Sequence, residues 1–517
     1  MNTTTSAATI LDVYISEDKQ SYYTLITMGN MSFRIALDTG SADLWVVSSA
    51  CTSSGCSSLP RYQLGYKSLT FESVNDNQTL FNVSYADTTT VSGFVARETV
   101  LLNNLTVVNQ AFGLINSSNV SLTNDISGVM GLSFSRLSTI SDTVANATSI
   151  FGSMAQQGQL DYPLFGLSLK TNATGTLALG AIDATTVTNR SRIEWYEVVP
   201  FAPYNGTNGT AASYLQWVIE LSNITVNGTN VTPQPTYSQS ASNHSLALFD
   251  VGASGIYGPY QDVARIFDQI SGARLVDASS GQWVVPCDLS ETISFNFGES
   301  NFTLQPTDYL VGPVSDDPYY CLAWPAATAP SHDGIDWQLG TPFLQTVYSI
   351  YSFGIDTKEA PMMGLYALHN ATELDESVAD VSSYFSSASA TVDTMLPNYL
   401  VSTPVYTTPA YIFNTSVSAP PGLIVSSGLA TSTYSPVLGT AATVNASAIP
   451  TVDPSPTLFT YIVTVSSGVV STSVSTASQA TVTLGEPPGW SSGAATVHVP
   501  TRFVVLALSA LLLVVAC

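Results

Sequence analysis

The chain has 517 residues, of which 37 are acidic and 13 are Lys or Arg, so its formal net charge is −24. This length exceeds that of a single compact domain, because domains usually have about 100–200 residues. Nucleic acid is excluded as a main partner, since phosphate binding needs a basic face that so few cations cannot form.

The polar positions are filled mainly by Ser, Thr and Asn, because only 10% of the residues are charged. About twenty Asn-X-Ser/Thr sequons occur along the chain, and each is an acceptor for N-linked sugar. They include Asn77, Asn82, Asn104, Asn205, Asn223, Asn301 and Asn370. This density favours a secretory route and an extracellular location.

Residues 1–10 are small and polar, and they lack the charged start and apolar core of a signal peptide. Since the sequons indicate secretion, we expect the start of the precursor to lie upstream. We interpret residues 1–10 as a short N-terminal extension, and no inhibitory propeptide is recognisable.

Residues 11–368 show many short runs in which Val, Ile, Thr, Tyr and Phe alternate with polar residues, separated by Gly or Asn. Examples are 24–28, 33–37 and 44–47, and one helix is predicted at 149–157. We predict an all-β fold with two lobes, at 11–187 and 188–368.

One turn motif occurs twice in this region. In 35–41 an apolar strand ends at Asp38, and Gly40 permits a tight turn. The same device recurs in 246–254 with Asp250 and Gly252. A single Asp-X-Gly turn is common in hairpins, but two copies that end apolar strands a lobe's length apart indicate a pair.

Two carboxylates held close together share one proton, because both cannot ionise cheaply. The ionised member can act as a general base on water, and the protonated member can polarise a carbonyl. We therefore predict that Asp38 and Asp250 hydrolyse peptide bonds in peptide or protein substrates.

The residues that other classes of hydrolase need are scarce in this chain. It has four His residues, widely spaced, and neither a His-Glu-X-X-His nor a Gly-X-Ser-X-Gly motif. We predict no metal and no cofactor.

The chain has five cysteines. Cys51 and Cys56 lie close together, Cys287 and Cys321 form a second candidate pair, and Cys517 is the last residue. Two pairs suit an oxidising compartment. The alternative, a set of reduced and buried thiols, is disfavoured by the sequons.

The composition changes after the second lobe. Ser, Thr, Ala, Val and Pro dominate residues 369–492, which predicts a disordered stalk, either a plain linker or an O-glycosylated one. Residues 503–517 are apolar except for Ser509, but a bilayer-spanning helix needs about 20 residues. Small residues precede this run, as in a glycolipid-anchor (GPI) signal.

We therefore predict that residues 493–517 are an anchor signal, with attachment near Ser492 or Gly493, which would fix the protein to the plasma membrane or cell wall. The alternative is a short tail-anchor helix. Substitution of the small residues around the attachment point should release the protein.

Residues of about 11–368 resemble the pepsin family of aspartic proteases. Segment 37–46 is similar to that family's first active-site signature. Further similar motifs follow in the family's order, at 51–56, 85–93, 128–132, 179–183, 287–321 and 337–340. The stalk and anchor resemble those of fungal, glycolipid-anchored, yapsin-type members. The resemblance implies a bilobal fold with a cleft between the lobes, and a monomer.

The resemblance also implies roles for individual residues. Asp38 and Asp250 would bind the lytic water, and Ser41 would hydrogen-bond Asp38. Gly40 and Gly252 would lie close to the substrate backbone. The disulfides would be Cys51–Cys56 and Cys287–Cys321.

A flap is implied as well, with Tyr85 closing over substrate and Trp45 supporting Tyr85 through its indole N–H. Without the resemblance, both would be read as core aromatics. Asp87 would favour a basic residue on the acyl side of the cleaved bond, or would simply be a turn Asp. Ala86 and Thr88 replace the usual Gly, which predicts a stiffer flap.

The second catalytic loop, 250–254, departs from the family. Val251 stands where Thr or Ser is usual, so the hydroxyl cross-link made by Thr39 loses its counterpart. Ala253, before Ser254, replaces a hydroxyl residue that normally donates to the second Asp. Loss of that donor predicts a raised pKa and a less acidic activity optimum.

Three functions compete on the sequence alone. The leading one is an active endopeptidase at the cell surface. The second is a catalytically impaired homologue that binds peptides, and the third is a structural wall glycoprotein.

Overall fold

The computed structural model describes residues 8–66, 68–200, 214–237, 244–355, 358–369, 375–388, 391–410, 434–440, 443–454, 458–464, 470–476, 482–487 and 489. Strands predominate, as predicted, and the helices are short. The all-β, bilobal class is confirmed by the element order given below.

The first lobe is built mainly from antiparallel strands. Its strands are β1 (Thr9–Ile15), β2 (Tyr22–Met28), β3 (Met31–Asp38), β4 (Leu44–Val47), β5 (Glu72–Ser73), β6 (Leu80–Ser84), β7 (Thr90–Leu102), β8 (Leu105–Ser118), β9 (Ile126–Gly131), β10 (Leu164–Ser168), β11 (Gly175–Leu179) and β12 (Ile182–Asp183). Its helices are α1 (Thr139–Thr143) and α2 (Ile150–Gln156). The predicted strands lie within β2, β3 and β4, and the predicted helix matches α2, whose N-cap Ser149 accepts from the Gly152 amide.

The second lobe repeats the pattern of short strands. Its strands are β13 (Glu194–Glu197), β14 (Val218–Leu221), β15 (Asn223–Val226), β16 (Thr229–Val231), β17 (Ser245–Phe249), β18 (Ile256–Pro259), β19 (Arg274–Asp277), β20 (Gln282–Pro286), β21 (Ile293–Phe297), β22 (Ser300–Leu304), β23 (Leu310–Pro313), β24 (Tyr320–Ala323), β25 (Ala326–Thr328), β26 (Trp337–Leu339), β27 (Val347–Ser352) and β28 (Met362–Ala367). Its helices are α3 (Tyr260–Phe267), α4 (Pro306–Tyr309) and α5 (Thr341–Leu344).

The remaining elements follow the second lobe or are single 3-10 turns. Helix α6 (Val378–Ala388) is followed by β29 (Thr451–Val452), β30 (Leu458–Thr464) and β31 (Val470–Thr476), the last two forming a hairpin. Single 3-10 turns lie at Ser54–Cys56, Val74–Asn77, Ser135–Leu137, Arg190–Arg192 and Ala446–Ala448. Among the described residues, no helix has both the length and the apolar character needed to cross a membrane.

The two lobes share one sheet. Its strand order includes β13-β28-β27-β10-β11-β1, so strands of the second lobe pair directly with strands of the first. The joining pair is antiparallel, with Phe165 opposite Tyr351, and their rings stack at 4.5 Å. Burial of these large rings supplies much of the hydrophobic stabilisation at the junction.

Each strand that leads to a predicted catalytic Asp is paired in parallel with a second strand. Asp38 at the end of β3 lies opposite Gly131 at the end of β9. In the second lobe, Phe249 at the end of β17 lies opposite Leu339 in β26. A Cβ atom at Gly131 would lie 2.5 Å from the backbone of Ala42, so the strand must carry Gly at this approach.

Both predicted disulfides are present, which excludes the reduced-thiol alternative for these four residues. Cys51 and Cys56 are bonded with their Cα atoms 6.0 Å apart, and Cys287 and Cys321 with theirs 5.0 Å apart. The first closes a loop of the first lobe, and the second ties β24 to the turn after β20.

The prediction of a disordered stalk at 369–492 is wrong for its described part. Val381 in α6, Leu438 and Ile449 are completely or almost completely buried. The average composition is polar, but a few apolar residues fill gaps in the surface of the lobes, and their burial offsets the entropy of ordering the chain. The described residues 391–410, 434–440 and 443–454 are called the C-terminal strap below.

The strap is fixed by backbone hydrogen bonds as well as by burial. Val392 pairs with the second lobe, where its N–H donates to the Pro313 carbonyl at 2.8 Å. Further along, β29 pairs in parallel with β12 of the first lobe. Between these points, the Glu359 carboxylate accepts from the amides of Leu438 and Gly439 at 2.8 and 3.0 Å.

Candidate active site

The two predicted catalytic carboxylates meet where β3 and β17 end. Asp38 and Asp250 are both buried. A Cβ atom at Gly40 would lie 2.7 Å from Oδ2 of Asp250, and one at Gly252 would lie 2.6 Å from Oδ1 of Asp38. Each loop glycine therefore approaches the carboxylate of the opposite lobe, and any larger residue would push the pair apart.

Each carboxylate receives one backbone donor from its own loop. The Gly40 amide donates to Oδ1 of Asp38 at 2.8 Å, and the Gly252 amide donates to Oδ1 of Asp250 at 2.9 Å. The second donor to Asp38 is the hydroxyl of Ser41, on Oδ2. This contact is the one predicted for Ser41.

The second donor to Asp250 differs from the prediction. Ala253 carries no hydroxyl, but Nε2 of Gln338 in β26 donates to Oδ2 of Asp250 at 2.7 Å. Gln338 therefore replaces the donor that position 253 lacks, and the predicted rise in the pKa of Asp250 has burial as its first cause. Burial raises the pKa of Tyr257, and the neighbouring Ser254 acts in the opposite direction. The Ala253 carbonyl accepts from the Thr341 amide at 2.8 Å.

Thr39 links the two catalytic loops, as expected for its half of the cross-link. Its hydroxyl donates to the Phe249 carbonyl and accepts from the Val251 amide, both at 2.9 Å. Val251 is buried at the symmetrical position, where its methyl groups can return neither bond. The cross-link is therefore present on one side.

Burial and the charge of its neighbour raise the pKa of one of the two carboxyl groups. The pKa of Asp250 is raised to about 7, first by burial and then by the negative charge of Asp38. The hydrogen bonds from Gln338 and Gly252 favour the ionised form and act in the opposite direction. The raised pKa of Asp250 favours its protonated form at acid pH.

The flap residues also lie where the sequence placed them. The indole N–H of Trp45 donates to the Tyr85 hydroxyl at 2.7 Å, which confirms the predicted support. Burial raises the pKa of Tyr85, and the charge of Asp38 raises it further. Tyr85 thus lies within electrostatic reach of the catalytic pair.

The tip of the flap is a tight turn. Oδ1 of Asp87 accepts from the Thr89 amide at 2.9 Å and from the Thr89 hydroxyl at 2.6 Å. Thr88 has a φ of 70°, a conformation that favours Gly. These contacts support the interpretation of Asp87 as a turn residue, and its preference for a basic substrate residue stays a prediction.

Gln338 is the site residue that the sequence analysis missed. It was named only as part of the motif at 337–340. The available signal was a polar residue on a short strand between the buried Trp337 and Leu339.

Within the described ranges, no group of three or more His, Cys, Asp or Glu residues could hold a metal ion.

Comparison with known proteins matches this geometry. The family model for eukaryotic aspartyl protease covers residues 21–359. An aspartic protease of Phaffia rhodozyma is 32% identical over 355 residues, which are 67% of this chain and 78% of that protein. Major aspartyl peptidase 1 of Cryptococcus neoformans is 28% identical over 348 residues, 64% of this chain and 66% of the relative. Human gastricsin is 27% identical over 347 residues, 65% and 79% of the two chains. The chain belongs to the eukaryotic aspartyl protease family.

Proposed function

We propose that this chain is an aspartic endopeptidase that activates water between Asp38 and Asp250. The observation that carries the proposal is the buried carboxyl pair, held by pseudo-symmetrical loops, in which the pKa of Asp250 is raised to about 7. Such a pair supplies one general base and one general acid from two identical side chains.

The reaction follows from these protonation states. Asp38 takes a proton from the water while the water oxygen bonds to the scissile carbonyl carbon. Asp250 gives its proton to the carbonyl oxygen. In the collapse of the resulting gem-diol, Asp38 passes its proton to the departing nitrogen and the C–N bond breaks. Asp250 recovers a proton from a diol hydroxyl, so the pair returns to its starting state.

Cleavage of a mixed peptide substrate at acid pH tests the proposal. We expect cleavage by the purified full chain, inhibition by pepstatin, and a loss of at least about a thousandfold for Asp38→Asn, because the general base is removed. Asp268→Asn, at the exposed residue that caps the C-terminus of α3, is the matched control and should retain activity. Wild-type protein that binds pepstatin without cleaving any peptide would overturn the proposal.

A second candidate function is peptide binding by a catalytically impaired homologue. It is favoured by one observation, the buried Val251 that leaves the loop cross-link one-sided. The pepstatin-binding outcome of the same assay would support it. A purely structural wall glycoprotein would neither cleave nor bind.

We further propose that the protein acts as a monomer on peptide or protein substrates at the outer cell surface, held by a glycolipid anchor. The sequons and the apolar tail support this location, although Ser492, Gly493 and the tail lie outside the described residues. Release by phospholipase C, and release after substitution of Ser492 and Gly493 by Leu, are the expected results. Retention in the membrane after both treatments would favour a tail-anchor helix.

A further inference from the structure

The two catalytic carboxylates are surrounded by equivalent donors that come from different places in the chain. Each accepts at Oδ1 from a loop glycine amide, at 2.8 and 2.9 Å. At Oδ2, Asp38 accepts from the neighbouring hydroxyl of Ser41, whereas Asp250 accepts from Gln338, which is 88 residues further along the chain. The amide of Gln338 thus takes the place that a hydroxyl at position 253 would hold.

The backbone of Gln338 is fixed between two strands. It lies opposite Leu248 in β17, in parallel, and opposite Tyr257 in β18, antiparallel. Alternation along β26 directs its side chain away from the face of Trp337 and Leu339. A side chain held in this way needs little further ordering to reach Asp250.

Position 253 carries no side-chain donor that would compete with Gln338 for Asp250. Ala253 has a single methyl group, and its backbone is fixed by the Thr341 amide, which donates to its carbonyl at 2.8 Å. A hydroxyl at position 253 and an amide at position 338 would offer donors to the same carboxylate. Ala253 offers no donor to Asp250, and Gln338 supplies one.

We propose that Gln338 is a positioning residue of the catalytic pair, which orients Asp250 and directs its proton to Oδ1, the oxygen that Gln338 does not contact. An amide NH₂ group donates and cannot accept, so Oδ2 of Asp250 remains an acceptor. The proton of the acid form is then carried by Oδ1. The Gly252 amide occupies one lone pair of Oδ1, and a carboxyl oxygen has a second that can carry this proton.

This proposal rests on the proposed protease function, and it predicts the pH profile of that activity. Gln338 hydrogen-bonds the ionised form of Asp250, so its removal should raise the pH at which Asp250 loses its proton. In Gln338→Leu, we expect the alkaline limb of the kcat/KM profile to move up by about one pH unit. A fall in kcat should accompany the shift, because Asp250 is no longer oriented.

Two further variants separate positioning from a merely structural effect. Ala253→Thr in the Gln338→Leu background should return the alkaline limb toward the wild-type position, since it supplies a donor to the same carboxylate. The matched control is Gln345→Leu, because Nε2 of Gln345 donates to the Tyr22 hydroxyl at 2.9 Å and not to the catalytic pair. This control should leave the profile unchanged.

A titration that needs no turnover keeps the two proposals distinguishable. The Asp250 carboxyl carbon, followed by 13C NMR in the full chain, should titrate about one unit higher in Gln338→Leu than in wild type. Gln338→Met replaces Leu if that variant does not fold. If wild type cleaves no peptide, the protease proposal fails while this titration still tests Gln338. Equal midpoints in folded variant and wild type, or an unmoved limb, would overturn the positioning role.

Discussion

The hydroxyl of Thr39 accepts a 2.9 Å hydrogen bond from the amide of Val251, and the side chain of Val251 returns none. Thr39 also donates to the carbonyl that precedes Asp250. By the symmetry of the loops, a hydroxyl at position 251 would face the amide of Thr39 and the carbonyl of Leu37. The two halves of the molecule are thus joined here by one side chain where two could act.

Val251→Thr should complete the cross-link. The two side chains have nearly the same shape, so we expect a gain in the free energy of unfolding of about 0.5–1.5 kcal/mol for each new hydrogen bond. Urea denaturation at acid pH measures it. Thr39→Val is the matched reverse change and should lose at least as much, since it leaves the Val251 amide unpaired. A less stable Val251→Thr protein would mean that the loops cannot present these partners.

The flap provides a second prediction. Thr88 is β-branched and held at a φ of 70°, which costs about 1–2 kcal/mol relative to a right-handed conformation. Thr88→Gly removes this cost and frees the turn, so pepstatin should bind several-fold faster in stopped-flow measurements. Thr88→Ala retains most of the strain and serves as the control. Equal acceleration in both variants would point to side-chain bulk instead of flap flexibility.

Docking of the C-terminal strap can be tested at its buried anchor. Glu359 accepts from the amides of Leu438 and Gly439 and from the Tyr162 hydroxyl. Glu359→Met keeps the volume but removes the acceptor, which should cost about 1–3 kcal/mol for each amide left unpaired. Hydrogen exchange at Leu438 and Gly439 should accelerate. Glu197→Met, at an exposed site, is the control, and equal protection in both variants would show that the strap does not depend on this carboxylate.

The stability of the second lobe should depend on pH through Asp262. Burial raises its pKa to about 6 against the opposing effects of the Gln234 amide and Arg265, and the charge of Asp336 raises it further. The unfolded value is about 3.9, so the folded state binds this proton more tightly. The contribution is complete below about pH 4 and is lost as the pH rises through about 6, a change of about 2–3 kcal/mol.

Thermal unfolding between pH 4 and pH 7 measures this dependence. Wild type should melt at a lower temperature as the pH rises, and Asp262→Asn should show a flatter curve, because a neutral amide has no proton to lose. Asp268→Asn, at the exposed residue that follows α3, should follow the wild-type curve. Parallel curves for all three proteins would contradict the assignment to Asp262.

Local sequence patterns were sufficient to predict much of the candidate active site. The strand that ends at Asp38, the repeat at Asp250 and the Trp45–Tyr85 contact all follow from short motifs. Gln338 could not be predicted, because its contact with Asp250 depends on the register of β26 against β17, which no local pattern records. Leu438 was missed for a related reason, since one buried residue in a polar segment does not change the average composition.

The two lobes contact each other in two places, and this limits how substrate can enter the site. At the base, β10 and β27 join the lobes through backbone hydrogen bonds. At the catalytic pair, Gly40 and Gly252 each abut the carboxylate of the other lobe. A rigid-body opening of the lobes would have to disrupt both contacts at once, so the energetically accessible gate is the hairpin of β6 and β7 that carries Tyr85. Association rates should therefore follow the loop kinetics of this hairpin and stay insensitive to changes that stiffen the shared sheet.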